Sequence, residues 1–190
     1  GIVMMFKIAC IPVYNEERTI KKILAKVLKS NTLNLKKEII IIDDGSIDKT
    51  REILKKNKPN HNVKIIFLKS NQGKGAALRV GFRYLTGDIV IIQDADLEYS
   101  PNEYPKLLRP IIKQNYKVVY GSRELSGKNK HSSIIFHAGG RVITLVTNML
   151  FGSNLTDEAT GYKVFDAKFL KSLRLKSNGF EFCPEVTAHI

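Results

Sequence analysis

Unbroken apolar runs are the feature that most restricts the fold of this 190-residue chain. Residues 39–42 and 89–92 are apolar at every position and lack the polar alternation of a strand with one wet face. Such runs are typical of strands that helices cover on both sides in a parallel sheet. The predicted strands are 7–13, 38–42, 63–68, 89–92 and 117–120. The sequence therefore predicts an α/β fold with a mostly parallel central sheet, joined by right-handed crossovers.

Helical spacing of apolar residues fills the segments between these strands. Asn15 and Asp48 are predicted to cap the first two helices, and Gly73-Lys74-Gly75 opens the third. A fourth helix is predicted over Tyr104 to Gln114, with a kink or break at Pro110. An apolar stripe from Ile134 to Phe151 marks a fifth, amphipathic helix.

The length and charge of the chain predict one domain with an anionic partner. A formal charge of +13 suits nucleic acid, phospholipid headgroups or phosphorylated substrates. Two unpaired cysteines suit a reducing, cytoplasmic location, and no apolar stretch reaches the length of a membrane span. We expect a nucleotide-binding half at about 7–98 and an acceptor half at about 99–190. The helical pattern that starts at Pro184 leads us to expect that the natural protein continues past Ile190.

Polar clusters follow three of the predicted strands, where ligands bind in parallel sheets. They are Tyr14 to Glu16, Asp43-Asp44 and Asp94-Ala95-Asp96. Asp94 and Asp96, with Glu98 nearby, are predicted to hold a divalent cation through oxygen ligands, against which a pyrophosphate can approach.

The same edge is predicted to bind a nucleotide. Tyr14 can lie against a base or ribose, while Asp44 and Glu16 can accept hydrogen bonds from base nitrogens or ribose hydroxyls. The alternative makes Asn15, Glu16 and Asp48 simple helix caps. The sequence lacks the glycine motifs that define dinucleotide-binding and P-loop folds, so both folds are excluded. The glycine turn at 73–75 follows the third strand and does not have the spacing of either motif.

Five motifs in order resemble glycosyltransferase family 2, in particular the polyprenyl-phosphate (dolichol-phosphate) mannose or glucose synthases. They begin at Pro12, Asp43, Asn71, Asp94 and Gly121, and segments 156–163 and 179–182 are also similar to this subgroup. The resemblance implies a GT-A-type fold and a nucleotide-sugar donor of the GDP-mannose or UDP-glucose type.

By position, the resemblance assigns site residues for the nucleotide sugar, the metal and the phosphates. The nucleotide sugar would contact Pro12, Tyr14, Glu16, Ile42, Asp44, Asp94, Ala95 and Asp96. Mg²⁺ or Mn²⁺ would be held by Asp94, Asp96 and Glu98, and Arg123 would face the phosphates of donor or acceptor.

These assignments predict a metal-dependent, inverting transfer of a sugar to a polyprenyl phosphate, with Asp96 and Arg123 as catalytic residues. Arg123, Lys128 and Arg141 would attract the acceptor phosphate. The basic loop 123–130 and the apolar stripe would bring the protein to the cytoplasmic face of a membrane as a peripheral protein.

Three alternatives stay open at this point. A transferase acting on a saccharide or lipid hydroxyl would need a general base, for which Asp157 and Glu185 are the candidates. A nucleic-acid-binding module would need aromatic residues interleaved with Lys and Arg, a pattern that the sequence does not show. A nucleotidyltransferase would need a glycine-rich loop after the first strand, where Pro12-Val13-Tyr14-Asn15 stands instead.

Overall fold

A computed structural model of the chain describes residues 5–57, 62–122, 141–142, 144–149, 155–158 and 160–190, with side chains from Cys10 onward. The strands are β1 (Met5–Val13), β2 (Lys36–Asp43), β3 (Val63–Phe67), β4 (Ile89–Ile91), β5 (Val118–Tyr120) and β6 (Lys163–Asp166). The helices are α1 (Ile20–Lys29), α2 (Thr50–Lys56), α3 (Lys74–Phe82), α4 (Tyr104–Gln114), α5 (Ala167–Ser172) and α6 (Phe182–Ala188). A 3₁₀ turn, Pro101–Glu103, precedes α4, and residues 144–149 are also helical.

The six strands form one sheet in the order β3-β2-β1-β4-β6-β5. The four strands β3, β2, β1 and β4 run parallel, and β6 is antiparallel to both of its neighbours, β4 and β5. The prediction of an α/β fold with a mostly parallel sheet is therefore confirmed. Because β2, β1 and β4 are parallel neighbours, their carboxyl ends lie side by side at one edge.

The central strands are buried on both faces, as their apolar runs predicted. On one side Ile39 and Ile41 pack with α1 and α4, while on the other Ile40 and Ile42 pack with α3, α5 and α6. The alternation of four consecutive isoleucines between two apolar layers is what makes β2 a central strand.

One prediction about a helix end is wrong. Asn15 does not cap α1, which begins at Ile20. The backbone of Asn15 adopts a left-handed conformation, and its side-chain oxygen accepts a hydrogen bond from the Ile47 N–H at 2.9 Å, so it joins two loops instead. Pro110 lies inside α4 without ending it. Asp48 does accept a hydrogen bond from the Thr50 N–H, at the first residue of α2.

Candidate active site

The three predicted polar clusters meet at the carboxyl edge of the sheet. Tyr14 follows β1 with its ring partly exposed, Asp44 follows β2, and Asp94 lies three residues after the end of β4. Glu16 lies close enough to nearby carboxylates for their negative charges to affect its ionisation. Its pKa is raised, first by burial and then by repulsion from Asp96, Asp48 and Asp94. The edge therefore concentrates carboxylates and disfavours the ionisation of one of them.

Asp44 organises a loop at this edge. Its carboxylate is buried and accepts hydrogen bonds from the Gln72 N–H at 2.9 Å and the Gly73 N–H at 2.8 Å. Asp44 therefore fixes the turn that precedes α3, although no side chain caps the helix itself. Gly73 has a φ of 97°, and a Cβ there would lie 2.4 Å from the Asn178 carbonyl oxygen, so the turn needs glycine for both conformation and space.

Lys74, the first residue of α3, forms an ion pair with Asp94, with 2.6 Å between Nζ and Oδ1. Both side chains are largely shielded from solvent. Burial on its own would lower the pKa of Lys74, but the attraction of Asp94 and of other nearby anionic groups outweighs it, and the pKa is raised. Lys74 therefore stays charged and places one fixed cation among the carboxylates.

A turn that precedes β6 closes the site on the side of Asp94. A Cβ on Gly161 would lie 2.1 Å from Asp94 Oδ2 and 3.3 Å from Lys74 Nζ. The Gly161 N–H donates to the Tyr99 hydroxyl at 3.0 Å, which holds the turn against the loop that carries Asp94. Gly161 thus allows the ion pair to sit where it does.

Lys163 supports that turn from beneath. Its side chain is completely buried, and Nζ donates hydrogen bonds to the carbonyl oxygens of Glu158, at 2.9 Å, and Thr160. Its Nζ also lies 4.3 Å from the centroid of the Tyr120 ring. Burial lowers the pKa of Lys163. Lys163 fixes the backbone on both sides of the turn, so its role is to position Gly161.

The predicted metal ligands are placed unequally. Asp94 is paired with Lys74, whereas Asp96 and Glu98 are exposed, and Asp96 Oδ1 accepts the Glu98 N–H at 2.9 Å. Among the described residues no group of three His, Cys, Asp or Glu side chains is arranged to hold an ion. Asp94, Asp96 and Glu98 are therefore not gathered around one point in the structure, and their role as metal ligands stays a prediction. One or two carboxylates at the mouth do fit Mg²⁺ or Mn²⁺, because such ions commonly take their remaining ligands from substrate phosphates and water.

The other predicted nucleotide residues differ in what they can offer. Pro12 is half-buried at the end of β1. The Ile42 side chain is fully buried and belongs to the apolar layer with Leu78 and Val90, so Ile42 can meet a nucleotide only through its backbone. Ala95 is likewise buried, in the opposite layer.

On the acceptor side, Arg123 and Lys128 lie outside the described residues, and Arg141 is described and exposed. The helical residues after Arg141 present an apolar face to solvent, with Val142 60%, Leu145 61% and Met149 77% exposed. Thr144 and Thr147 face inward instead, and Thr144 Oγ1 accepts the Glu158 N–H at 2.9 Å. The polar side of this stretch is therefore the side that packs on the protein.

The two candidate bases for a hydroxyl acceptor are both constrained. Glu185 accepts hydrogen bonds from the backbone N–H groups of Lys176, at 2.6 Å, and Ser177, at 2.9 Å. Partial burial would raise its pKa, but these hydrogen bonds prevail and lower it. A carboxylate that is held and acidified in this way is a poor general base. Asp157 is buried.

Sequence reasoning missed the residues that complete the site from a distance. Lys74 was noticed only as part of a glycine turn, and Gly161 and Lys163 only as members of a motif without a role. Gln93 was also missed. It is fully buried, accepts a hydrogen bond from the Tyr104 hydroxyl at 2.9 Å and donates to the carbonyl of Tyr99 at 3.2 Å, so it shapes the loop that carries Asp94 and Asp96. Its position between the β4 run and Asp94 was the available signal.

Comparison with known proteins gives this arrangement a family. The sequence pattern of "Glycosyl transferase family 2" matches residues 8–174. The chain belongs to that family. Among curated relatives, a UDP-N-acetylglucosamine–dolichyl-phosphate N-acetylglucosaminyltransferase from Methanococcus voltae is 33% identical, over 92% of this chain and 76% of that protein.

Bacterial family 2 members are also similar. An undecaprenyl-phosphate 4-deoxy-4-formamido-L-arabinose transferase from Edwardsiella ictaluri is 28% identical over 90% of this chain and 52% of that protein. A protein of the same name from Photorhabdus laumondii is 33% identical over 77% of this chain and 45% of that protein. The chain thus spans about half the length of these two relatives.

Solved structures show the same fold. Glucosyl-3-phosphoglycerate synthase from Mycobacterium tuberculosis, in complex with UDP, superposes with a TM-score of 0.72 at 19% identity, covering 95% of this chain and 62% of that one. TarS residues 1–349 from S. aureus, also with UDP, superposes with a TM-score of 0.59 at 21% identity, covering 88% of this chain and 48% of that one. The predicted GT-A-type architecture and the predicted family are therefore both confirmed.

Proposed function

We propose that this family 2 domain transfers a sugar from a nucleoside diphosphate sugar to a polyprenyl phosphate, by a metal-dependent reaction that inverts the anomeric centre. The observation that carries the proposal is the meeting of Glu16, Asp94 and Asp96 at the ends of parallel strands, with Lys74 fixed against Asp94 at 2.6 Å. An edge that is acidic and yet holds one buried cation suits a ligand with both a metal-binding diphosphate and hydroxyl-rich groups.

The nucleotide would bind above β1 and β2. The exposed ring of Tyr14 offers a flat apolar surface for the base or ribose, and Asp44 holds the adjacent turn with its two oxygens. Each carboxylate oxygen has a second lone pair, so Asp44 can still accept a hydrogen bond from the nucleotide. Glu16 is placed to accept one from a ribose hydroxyl.

Asp96 would be the principal metal ligand and Asp94 the second, while Glu98 is exposed at the rim. A bound Mg²⁺ or Mn²⁺ would neutralise charge on the departing diphosphate. Support for a divalent ion comes from glucosyl-3-phosphoglycerate synthase, which has been crystallised with Mn²⁺ and UDP-glucose. Lys74 would add a second positive charge beside the diphosphate, at a position that the protein has already fixed.

An acceptor phosphate fits this site better than a hydroxyl does. A phosphate monoester is anionic near neutral pH, so its oxygen attacks the anomeric carbon as the bond to the diphosphate breaks, and no proton has to be removed. The restrained Glu185 and the buried Asp157 agree with a site that needs no strong base. The names of the Methanococcus and Edwardsiella relatives both specify a polyprenyl-phosphate acceptor.

A polyprenyl-phosphate acceptor, which lies in a membrane, also accounts for the net positive charge of the chain and for its exposed apolar face. Residues 141–142 and 144–149 are helical, and the Val142, Leu145 and Met149 side chains are more than half exposed. Such a face beside basic residues suits shallow contact with an anionic bilayer. No helix among the described residues has both the length and the apolar character needed to cross a membrane. Arg123 and Lys128 would join Arg141 at the lipid phosphate.

Donor and metal are tested by nucleotide-sugar turnover. We expect hydrolysis or transfer from the correct nucleotide sugar to require Mg²⁺ or Mn²⁺, and Asp96→Asn to lower turnover by on the order of 10²-fold. Glu52→Gln, which removes an exposed carboxylate of α2, is the matched control and should keep full activity. Undiminished activity in excess chelator would exclude metal dependence.

The acceptor is tested separately. Arg123→Ala combined with Arg141→Ala should abolish transfer to polyprenyl phosphate and leave donor binding intact, because both residues are assigned to the acceptor phosphate. Lys22→Ala with Lys26→Ala removes the same charge from the solvent face of α1 and serves as the control. Normal lipid glycosylation by the Arg123 and Arg141 double variant would favour a hydroxyl acceptor.

A further inference from the structure

A cleft of about 450 Å³ lies between α3, α5 and the segment that follows α5. The floor of the cleft is apolar and is formed by Phe82, Leu170, Leu173 and Leu175. Its rim carries three cations, Arg79, Arg83 and Lys171. No carboxylate is among the residues that line it.

The rim cations have no acidic partners in the part of the chain that the structure describes. Arg79 donates hydrogen bonds to the Lys176 carbonyl and to Asn178 Oδ1, and Lys171 Nζ donates to the Leu85 carbonyl at 2.7 Å. These acceptors are neutral, so they orient the side chains without cancelling their charge. Arg83 is exposed at the end of α3. The cleft therefore combines fixed positive charge with an apolar floor.

The cleft is distinct from the site at Asp94. Arg79 and Arg83 stand five and nine residues after Lys74, the first residue of α3, so a rise of 1.5 Å per residue puts them about 7.5 Å and about 13 Å from it along the helix axis. The volume lies within the range of about 300–1,000 Å³ that is usual for small-ligand sites. A fully polar anion would leave the floor uncovered, and nucleic acid would find no exposed aromatic ring among these lining residues, because Phe82 is buried.

We propose that this cleft binds an anionic phospholipid, with the headgroup phosphate between Arg83 and Lys171 and the start of one acyl chain on the leucines. The placement fits the rest of the molecule. α3, α5 and α6 share one face of the sheet, and the stretch 144–149 is linked to α6 through Glu158, which binds Thr144 by its N–H and Thr187 by its carboxylate. The cleft and the exposed apolar face of residues 142–149 are thus both attached to the same layer of helices.

The proposal does not depend on the transferase reaction, so its test uses neither donor nor acceptor. Binding of the full chain is measured by co-sedimentation with phosphatidylglycerol–phosphatidylcholine vesicles and with pure phosphatidylcholine vesicles. One basic residue near an anionic surface contributes about fivefold in affinity. Arg83→Glu should therefore weaken binding to the anionic vesicles by about 25-fold, as a charge reversal counts twice.

The control separates a site from general attraction to a basic protein. Lys22→Glu makes the same charge change on α1, which packs on the opposite face of the sheet. Charge at that distance is screened over about 8 Å at physiological salt, so this variant should lose less than threefold. Equal losses in the two variants would overturn the cleft as the site.

The apolar floor is tested without a charge change. Leu173→Ser should weaken binding to anionic vesicles by about fivefold or more, and it should also abolish titration by soluble dihexanoyl phosphatidylglycerol, followed by calorimetry. Glycerol phosphate, which has the headgroup alone, should not bind measurably. Thermal melts exclude unfolding of the variants. Tight binding of glycerol phosphate, or capture only of an acidic protein partner without vesicle binding, would refute the lipid assignment.

Discussion

Gly161→Ala offers a sharp test of the geometry around Asp94. The added Cβ would lie 2.1 Å from Asp94 Oδ2, whereas ordinary contact begins at 3.4 Å, so the carboxylate has to retreat by about 1.3 Å. A displacement of about 1 Å in a catalytic group can cost on the order of 10²-fold in rate. We expect the variant to lose about that much donor turnover.

The fold itself should tolerate the change. Inserting a methyl group into a packed site typically costs about 1–3 kcal/mol of stability, which a folded domain of this size can absorb. The measurement is steady-state turnover of the nucleotide sugar at saturating Mn²⁺, together with a denaturant melt on the same preparation. Turnover should fall while most of the protein stays folded.

Gly121→Ala provides the matched control. The three atoms nearest to its Cβ would be two side-chain carbons of Tyr162, at 3.2 Å, and one of Leu107, at 3.4 Å, and none of them belongs to a carboxylate. We expect less than a threefold change in turnover from this variant. If Gly161→Ala is folded and turns over within twofold of the wild type, then neither the position of Asp94 nor its pairing with Lys74 matters for the reaction.

Three further predictions concern single side chains. Asp44→Ala leaves two N–H groups of the turn before α3 without acceptors, so it should lower the free energy of unfolding by about 2 kcal/mol and weaken nucleotide binding by about 1–3 kcal/mol, measured by denaturant melts and calorimetry. Unchanged affinity in folded protein would contradict the nucleotide role. Glu16→Gln should stabilise the protein at neutral pH but not well below the ordinary Glu value of 4.5, because a raised folded pKa means that stability is lost as Glu16 ionises with rising pH. A melting-temperature difference that does not depend on pH would refute this. Lys163→Met should cost on the order of 2–3 kcal/mol by removing a charged donor from two carbonyls, and it should lower turnover in the protein that stays folded.

Much of the fold could be predicted because the determining signals are local. The isoleucines 39–42 are buried on both sides, and α1 buries Ile20, Ile23, Leu24 and Val27 at the spacing that predicted a helix. Once the strands are parallel neighbours, the meeting of Glu16, Asp94 and Asp96 follows from topology. The apolar stripe was harder, since a periodic pattern shows which residues share a face but not which face packs. Here Thr144 and Thr147 face inward.

The rest depends on contacts between distant parts of the chain. No local rule predicts that Lys163 is completely buried, because lysine is ordinarily exposed. The strand that begins with Lys163 is only four residues long and was not predicted. The metal site was expected from three nearby carboxylates, yet Lys74, twenty positions before Asp94, pairs with one of them. Such a pairing exists only after α3 has packed on the sheet.

The antiparallel direction of β6 explains how the site is completed. β4 ends at Ile91, after which the chain runs on to Asp94, and β6 starts at Lys163. Ile91 is paired with Val164, and the Ile92 N–H donates to the Lys163 carbonyl at 2.9 Å. Because β6 runs the opposite way, its first residue lies at the edge where β4 ends. The turn before β6 therefore lies against the Asp94 loop, and Gly161 is the residue of that turn next to the Asp94 carboxylate. A parallel strand in that position would bring its last residue to this edge and its first residue to the other. The reversal of one short strand is therefore what lets Gly161, Asp94 and Lys74 meet.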